Sequence, residues 1–286
     1  LFWSTDVHLN HVAMPQWDQW IEAIEDAKAD ADKHDATVAG LIITGDISEA
    51  DDVIFQLERI VGVTRLPLYF VLGNHDFYHG LIATTRGEVV RIMRENEDLF
   101  YLTDTTPIEI AQDVFLIGDD GWGDATVGDY DGSPIRLHDF QLIADFVESR
   151  TADWPKLLHR LGKESADRLR DKLLALPERV RQVLVATHVP PQRESCWYEG
   201  KVSDDDWAPF FVCGQIGEVL EWYADRHPDV HLTVLCGHTH HQGVARIRDN
   251  LIIYTGSAVY GEPTVQSVIN ADADEVGLVD PKSGDT

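Results

Sequence analysis

Five short polar clusters carry oxygen and imidazole donors at close spacing. They are Asp6 and His8 in "DVH", Asp46 in "TGD", Asn74, His75 and Asp76 in "GNHD", His188 in "THVPP", and His238 and His240 in "GHTH". None includes a cysteine. Carboxylate, amide and imidazole ligands suit Mn, Fe, Zn or a similar first-row ion and argue against a structural cysteine zinc site. In an extended chain residues i and i+2 point the same way. Asp6 and His8 are therefore expected to face one ion, and so are His238 and His240, with His241 pointing away as a bystander. Glycine beside the ligand in "GD" and "GN" allows a tight turn and a close backbone approach. The seven donors Asp6, His8, Asp46, Asn74, His188, His238 and His240 exceed the needs of one ion. They suit two ions sharing a bridging carboxylate. Such a pair, about 3.5–4 Å apart, binds a phosphoryl oxygen, generates hydroxide near neutral pH and stabilises the charge of an in-line displacement.

The elements that must position these donors are legible as short apolar runs. "LFWSTDVH", "VAGLIITGD", "LPLYFVLGNHD", "DVFLIGDDGW", "RQVLVATHVPP", "VHLTVLCGHTH" and "LIIYTGSA" have the length and composition of buried strands. Helical periodicity lies between them, at 15–31, 51–62, 165–176 and 213–228. Alternating strand and helix predict an α/β fold with a buried sheet. Every donor cluster sits at the carboxyl end of a run, where sites form in open α/β sheets. Two segments break the rhythm, 119–139, rich in Gly and Asp, and 190–211, rich in Pro, aromatics and acids. Loops of that length without regular structure are usually functional or disordered. With no linker or repeat visible, residues 1–286 are expected to form one domain.

Composition narrows the partners. Asp and Glu number 50 against 23 Lys and Arg, for a formal net charge of -27. Such a surface repels polyphosphate, so bulk nucleic acid and anionic membranes are disfavoured as partners. Cys196, Cys213 and Cys236 form no disulfide framework and no zinc spacing. No apolar run approaches the ~20 residues of a membrane span. With no signal-peptide pattern, a reducing, cytoplasmic setting is expected.

The series D-x-H, G-D, G-N-H-D, H, G-H-x-H, running from Asp6 to His240, resembles the calcineurin-like metallophosphoesterase superfamily in content and order. The resemblance implies a four-layer αββα sandwich, with two packed mixed β-sheets flanked by helices. It implies one divalent ion on Asp6, His8, Asp46 and His240, and another on Asp46, Asn74, His188 and His238, with Asp46 bridging. His75 resembles the family's non-ligand histidine that protonates the leaving oxygen, and Asp76 would hold its imidazole. Histidine suits that task because it titrates nearest neutral pH. The implied reaction is hydrolysis of a small phosphomonoester or phosphodiester by in-line attack of metal-bound hydroxide. A nuclease on the same fold and a non-catalytic scaffold are the alternatives. Glu49 stands where many relatives carry a second Asp. "GNHDFYHG" and the absence of "GDxxDRG" set the chain apart from the Ser/Thr protein phosphatases. The motif set is nearer the bacterial branch of phosphodiesterases and general phosphohydrolases. His79 and Arg193 are candidate substrate contacts, Arg193 because guanidinium can grip phosphate bidentately. Trp122, Tyr130, Trp197 and Tyr198 are candidate pocket walls.

Overall fold

The computed structural model describes residues 1–271 and 277–279. Along the chain lie β1 (Phe2–Ser4), β2 (Leu41–Thr44), β3 (Leu68–Val71), β4 (Leu99–Tyr101), β5 (Ile108–Ala111), β6 (Val114–Asp119) and β7 (Gln182–Thr187). They are followed by β8 (Trp197–Tyr198), β9 (Lys201–Val202), β10 (His231–Cys236), β11 (Gly243–Arg248), β12 (Leu251–Thr255), β13 (Ser267–Asn270) and β14 (Gly277–Val279). The helices are α1 (Met14–Lys33), α2 (Val53–Thr64), α3 (Ile82–Glu95), α4 (Asp139–Leu142), α5 (Ala144–Val147), α6 (Trp154–Leu174), α7 (Ala208–Phe211) and α8 (Gly214–Arg226).

Two six-stranded sheets carry the architecture, in the orders β14-β13-β1-β2-β3-β4 and β11-β12-β10-β7-β6-β5. The inner pairings are parallel: β1 with β2, β2 with β3, β6 with β7, and β10 with both β7 and β12. Antiparallel strands close three edges, where β14 pairs with β13, β11 with β12 and β5 with β6, while the edge strand β4 runs parallel to β3. Side-chain alternation assigns the layers. In the first sheet Phe2, Leu41, Ile43, Leu68 and Phe70 pack with Trp17, Trp20, Leu57 and Val89 of the helices. Their neighbours Trp3, Ile42, Tyr69 and Val71 turn inward against Leu116, Leu184, Ala186 and Leu235 of the second sheet. The outer face of that sheet, with Phe115, Val183, Val185 and Val234, packs on Leu169 of α6 and Leu220 of α8. This is the expected α/β fold of two packed mixed sheets flanked by helices.

All seven apolar runs become strands, and the four helical patterns overlap α1, α2, α6 and α8, overrunning a helix end by at most two residues. The differences lie in weaker signals. α3 was not foreseen, because Thr84, Thr85 and Gly87 dilute its pattern. It is held instead by Ile82, Thr85, Val89 and Ile92, buried at helical spacing, so packing overrides propensity. Segment 190–211 is less irregular than expected. It carries the β8-β9 hairpin and α7. All three cysteines are buried and free. No helix among the described residues is long and apolar enough to cross a membrane.

Candidate dinuclear metal centre

The donors converge at the carboxyl ends of β1, β2, β3, β7 and β10, on loops rather than on strands. Asp6, His8, Asp46, His238 and His240 all have positive φ, at 48°, 40°, 50°, 68° and 59°. The extended i, i+2 geometry expected for the two pairs is therefore not what aims them. Left-handed turns fold the chain back at the strand ends, which brings Asp6 and His8 into one donor group but sends His238 and His240 to different ones, against the expectation that those two face one ion. Such conformations cost about 1–3 kcal/mol each and persist where the surroundings over-determine them. The surroundings here are hydrogen bonds within and between the loops, from main chain and side chain. Asp6 N–H donates to the Gly45 carbonyl at 3.1 Å and His8 N–H to the Asp46 carbonyl at 2.9 Å. His238 N–H donates to Asp6 Oδ1 at 3.0 Å, and Thr5 Oγ1 to Asp6 Oδ2 at 2.6 Å.

Two groups of donor atoms result. Asp6, His8, Asp46 and His240 form one, and Asp46, His188 and His238 the other, with the atoms of each group within 4.8 Å of one another. Asp46 belongs to both. His8 Nε2 lies 3.1 Å from His240 Nε2 and 3.7 Å from Asp46 Oδ2, and His240 Nε2 lies 3.4 Å from Asp6 Oδ1. In the second group His188 Nε2 is 3.3 Å from Asp46 Oδ1 and 3.1 Å from Asn74 Oδ1. Its Nδ1 meets the Thr44 carbonyl at 2.9 Å, which fixes the ring. Asp6 and Asp46 are buried, and among the described residues no Lys or Arg pairs with either. Buried carboxylates without a cationic partner are costly. Lone pairs aimed at common points beside them fit a pair of divalent cations.

Burial and the mutual charges of these groups set their protonation. Burial, then the Asp6 charge, push Asp46 well above the usual carboxylate range. Burial acts on Asp6 in the same direction, but the His240 hydrogen bond and the His188 charge outweigh it and hold Asp6 low. Burial depresses His8 to about 2 and, with His188 beside it, His75 to about 3. His238 is held well below its ordinary value by burial and His188. His240 moves the other way: burial would lower it, but the Asp6 hydrogen bond and charge outweigh burial and raise it. His8 and His238 are neutral at neutral pH, the ligating form.

His75 sits beside the groups rather than in them. Its main-chain N–H donates to Asp46 Oδ1 at 2.9 Å, and its ring stacks on Tyr78, centroids 4.2 Å apart. Asp76 does not hold that ring. Its Oδ1 accepts from the N–H groups of Ile47 and Ser48, at 2.9 and 2.7 Å, and its Oδ2 from Gly73 N–H at 2.8 Å. It ties the β2 and β3 loops together instead. His79 is exposed, 3.7 Å from Glu49. The Arg193 guanidinium is committed to Asp205 and the Ser203 carbonyl, so it staples the 190–211 segment. Trp122 is buried in the core, Tyr130 packs on Phe210, and Tyr198 lies exposed beside His241.

Three residues at the site escape the motif reading. Asp139 accepts hydrogen bonds from Asn74 Nδ2 at 2.9 Å and from the Tyr78 hydroxyl at 2.8 Å. Phe211 stacks on His238 at 4.4 Å. Tyr260, half exposed, sets its ring 4.4 Å from His8, 5.1 Å from His240 and 6.2 Å from His75. None stands at a fixed offset within a motif. Asp139 and Phe211 end the two irregular segments, 119–139 and 190–211, that break the strand and helix rhythm, while Tyr260 lies in the turn after β12, "GSAVYGE".

Fold and site together define a dinuclear-metal hydrolase of phosphoester bonds. The chain matches the calcineurin-like phosphoesterase family over residues 3–242 and belongs to that family. Two divalent metal ions are its cofactors. No curated protein matches it by sequence. Among solved structures it is similar to a phosphopantetheinyl hydrolase from Mycobacterium tuberculosis, with a TM-score of 0.62 at 14% identity, covering 91% of this chain and 90% of that one. It is also similar to a dimetal phosphatase from Danio rerio, with a TM-score of 0.51 at 14% identity, covering 84% and 78%.

Proposed function

We propose that the chain hydrolyses a small phosphomonoester or phosphodiester, with Asp6, His8, Asp46 and His240 holding one divalent ion and Asp46, Asn74, His188 and His238 the other. The observation that carries this reading is the convergence of two buried donor groups on one shared carboxylate, Asp46. When bound, the two ions polarise the phosphoryl oxygens and supply the nucleophile at neutral pH. The chain's own residues do the rest. Water gives up a proton to solvent and attacks phosphorus opposite the ester oxygen, a P–O bond forms, and the bond to the leaving oxygen breaks with its electron pair on that oxygen. His75, beside Asp46 and partly open to solvent, gives the leaving oxygen its proton once the negative charge of the bound ester has raised it from the low value that burial and His188 impose, and it regains a proton from solvent. Asp6 and Asp46 offset the positive charge of the site. The rings of Tyr260 and Phe211 flank it. The net charge of -27 favours a small ester over a nucleic acid chain.

The test is turnover of p-nitrophenyl phosphate and its bis-ester across a set of divalent metals, with a phosphopantetheinyl ester added to the panel. Metal-dependent release of p-nitrophenol is expected. Inactivity on every ester with every metal defeats the reading, and so does full activity of His75→Asn on alkyl esters.

A further inference from the structure

In this fold a general acid must be aimed, and the expected partner for His75 is absent. Asp76 is consumed by the main chain, and Glu49 is paired with His79. Asp46 Oδ2 lies 4.0 Å from His75 Nε2, beyond hydrogen-bond length. The ring is held by its faces instead. Tyr78 stacks on one side at 4.2 Å with a 28° tilt, and His8 meets it edge-on at 4.7 Å. Stacking fixes the plane of a ring only if the supporting ring is itself fixed. The Tyr78 hydroxyl is fixed, donating to Asp139 Oδ1 at 2.8 Å. The same oxygen accepts from Asn74 Nδ2 at 2.9 Å. That bond decides which way the Asn74 amide points, and leaves its Oδ1 facing His188 Nε2. Asp139 is buried, and it enters from α4, outside every motif that supplies the other groups.

We infer that Asp139 is a positioning residue for both halves of the reaction, orienting the Asn74 amide toward the metal and, through Tyr78, the His75 imidazole toward the leaving oxygen. The inference rests on the ligand and acid roles proposed above. Its signature is selective. Protonation matters for an alkoxide leaving group and little for p-nitrophenolate, so a misaimed acid lowers alkyl-ester turnover far more than aryl-ester turnover.

The experiment compares p-nitrophenyl phosphate with glycerol 2-phosphate, or bis(p-nitrophenyl) phosphate with a dinucleoside monophosphate, at saturating Mn²⁺. The variants are Asp139→Ala, Tyr78→Phe and His75→Asn. His75→Asn sets the scale, with a loss on alkyl esters of about 100-fold or more. Tyr78→Phe keeps the stacked ring but frees it from Asp139, and is expected to lose about 10-fold on the alkyl ester, a fraction of the general-acid contribution. Asp139→Ala shares that selective loss. It also weakens one of the two bound metal equivalents by about 10- to 100-fold, the usual cost of removing a group that orients a ligand. Tyr78→Phe leaves both metal equivalents in place. Equal losses on both ester types in Tyr78→Phe and Asp139→Ala, with metal content unchanged, overturn the inference. If His75→Asn itself shows no leaving-group selectivity, the acid role falls first, and the inference falls with it in that half. The metal titration of Asp139→Ala then decides the other half. Should Asp139→Ala fail to fold, the Tyr78→Phe ratio alone decides the acid half, and Asp139→Asn carries the metal titration.

Discussion

Asp46 is the residue on which the site turns. It is buried, it touches both donor groups, and burial with the Asp6 charge makes it hard to ionise without a cation nearby. Asp46→Asn keeps its shape and removes its charge. The expected outcome is a fall in turnover of at least about 100-fold, the scale of losing a key electrostatic group at a reacting centre. Elemental analysis should find fewer than two metal equivalents in the variant. Retention of both would remove Asp46 from the bridging position. Tyr260 is a different kind of residue. Half of it is exposed, and its ring borders His8, His240 and His75 without hydrogen-bonding to them. A ring so placed contacts the substrate more than it builds the site. Tyr260→Ala is expected to raise KM by about 2- to 10-fold, in line with a lost aromatic contact of about 0.5–1.5 kcal/mol. Steady-state kinetics check this, with kcat changing much less. An effect confined to kcat would place Tyr260 in the chemistry instead.

At the scale of elements, strand ends deliver the ligands only because small residues let the loops meet. A Cβ on Gly73 would lie 2.1 Å from Asp46 Oδ1, and one on Gly237 would lie 2.0 Å from Asp6 Oδ2. No flexible side-chain end is available to yield at either place, because both carboxylates are held by main-chain N–H groups. Gly73→Ala and Gly237→Ala should each cost about 100-fold in kcat, since a displacement of about 1 Å at a reacting centre has that effect. Far-UV circular dichroism should stay near that of the parent. Wild-type turnover in either variant would mean that the loops have more room than their geometry gives them. This also marks how far the sequence could be read. Donor types, their order and their place after strands were all visible, because buried runs such as Leu41–Thr44 end abruptly in polar residues. The handedness of the loops was not. Asp6, His8, Asp46, His238 and His240 adopt left-handed backbone that nothing in their own residue types requires. That conformation is imposed by contacts between loops far apart in sequence. Asp139 ends the irregular segment 119–139, yet its role was illegible for the same reason, since its partners Asn74 and Tyr78 lie more than sixty residues away.

The whole molecule depends on the two sheets staying in register, because β1, β2 and β3 contribute ligands from one and β7 and β10 from the other. Asp120 ties them together. It follows β6 of the second sheet, and its buried carboxylate accepts from Leu72 N–H at 2.8 Å, beyond β3 of the first. The Tyr101 hydroxyl of β4 and Thr103 Oγ1 add bonds of 2.6 and 2.7 Å. Arg86 of α3 pairs with it at 2.8 Å. Burial alone would raise this carboxyl, but Arg86 and the hydroxyl and N–H donors outweigh burial and hold it below its ordinary value. A carboxylate depressed in the folded state contributes stability that is fully present above its unfolded value, about 3.9. That contribution is lost as pH falls through the folded value, where the unfolded chain no longer binds the extra proton. Asp120→Asn leaves the Arg86 charge buried without its partner, which typically costs about 3–5 kcal/mol. At pH 7 the variant should therefore melt well below the parent, by roughly 2–4 °C per kcal/mol for a chain of this order of size. On acidification below about pH 4 the parent loses its advantage, and the two melting curves should converge. Thermal melts from pH 7 to pH 3, with chelator present so that metal release does not contribute, would follow the gap. A gap that stays constant down to pH 3 would show that Asp120 acts there through packing rather than through its charge.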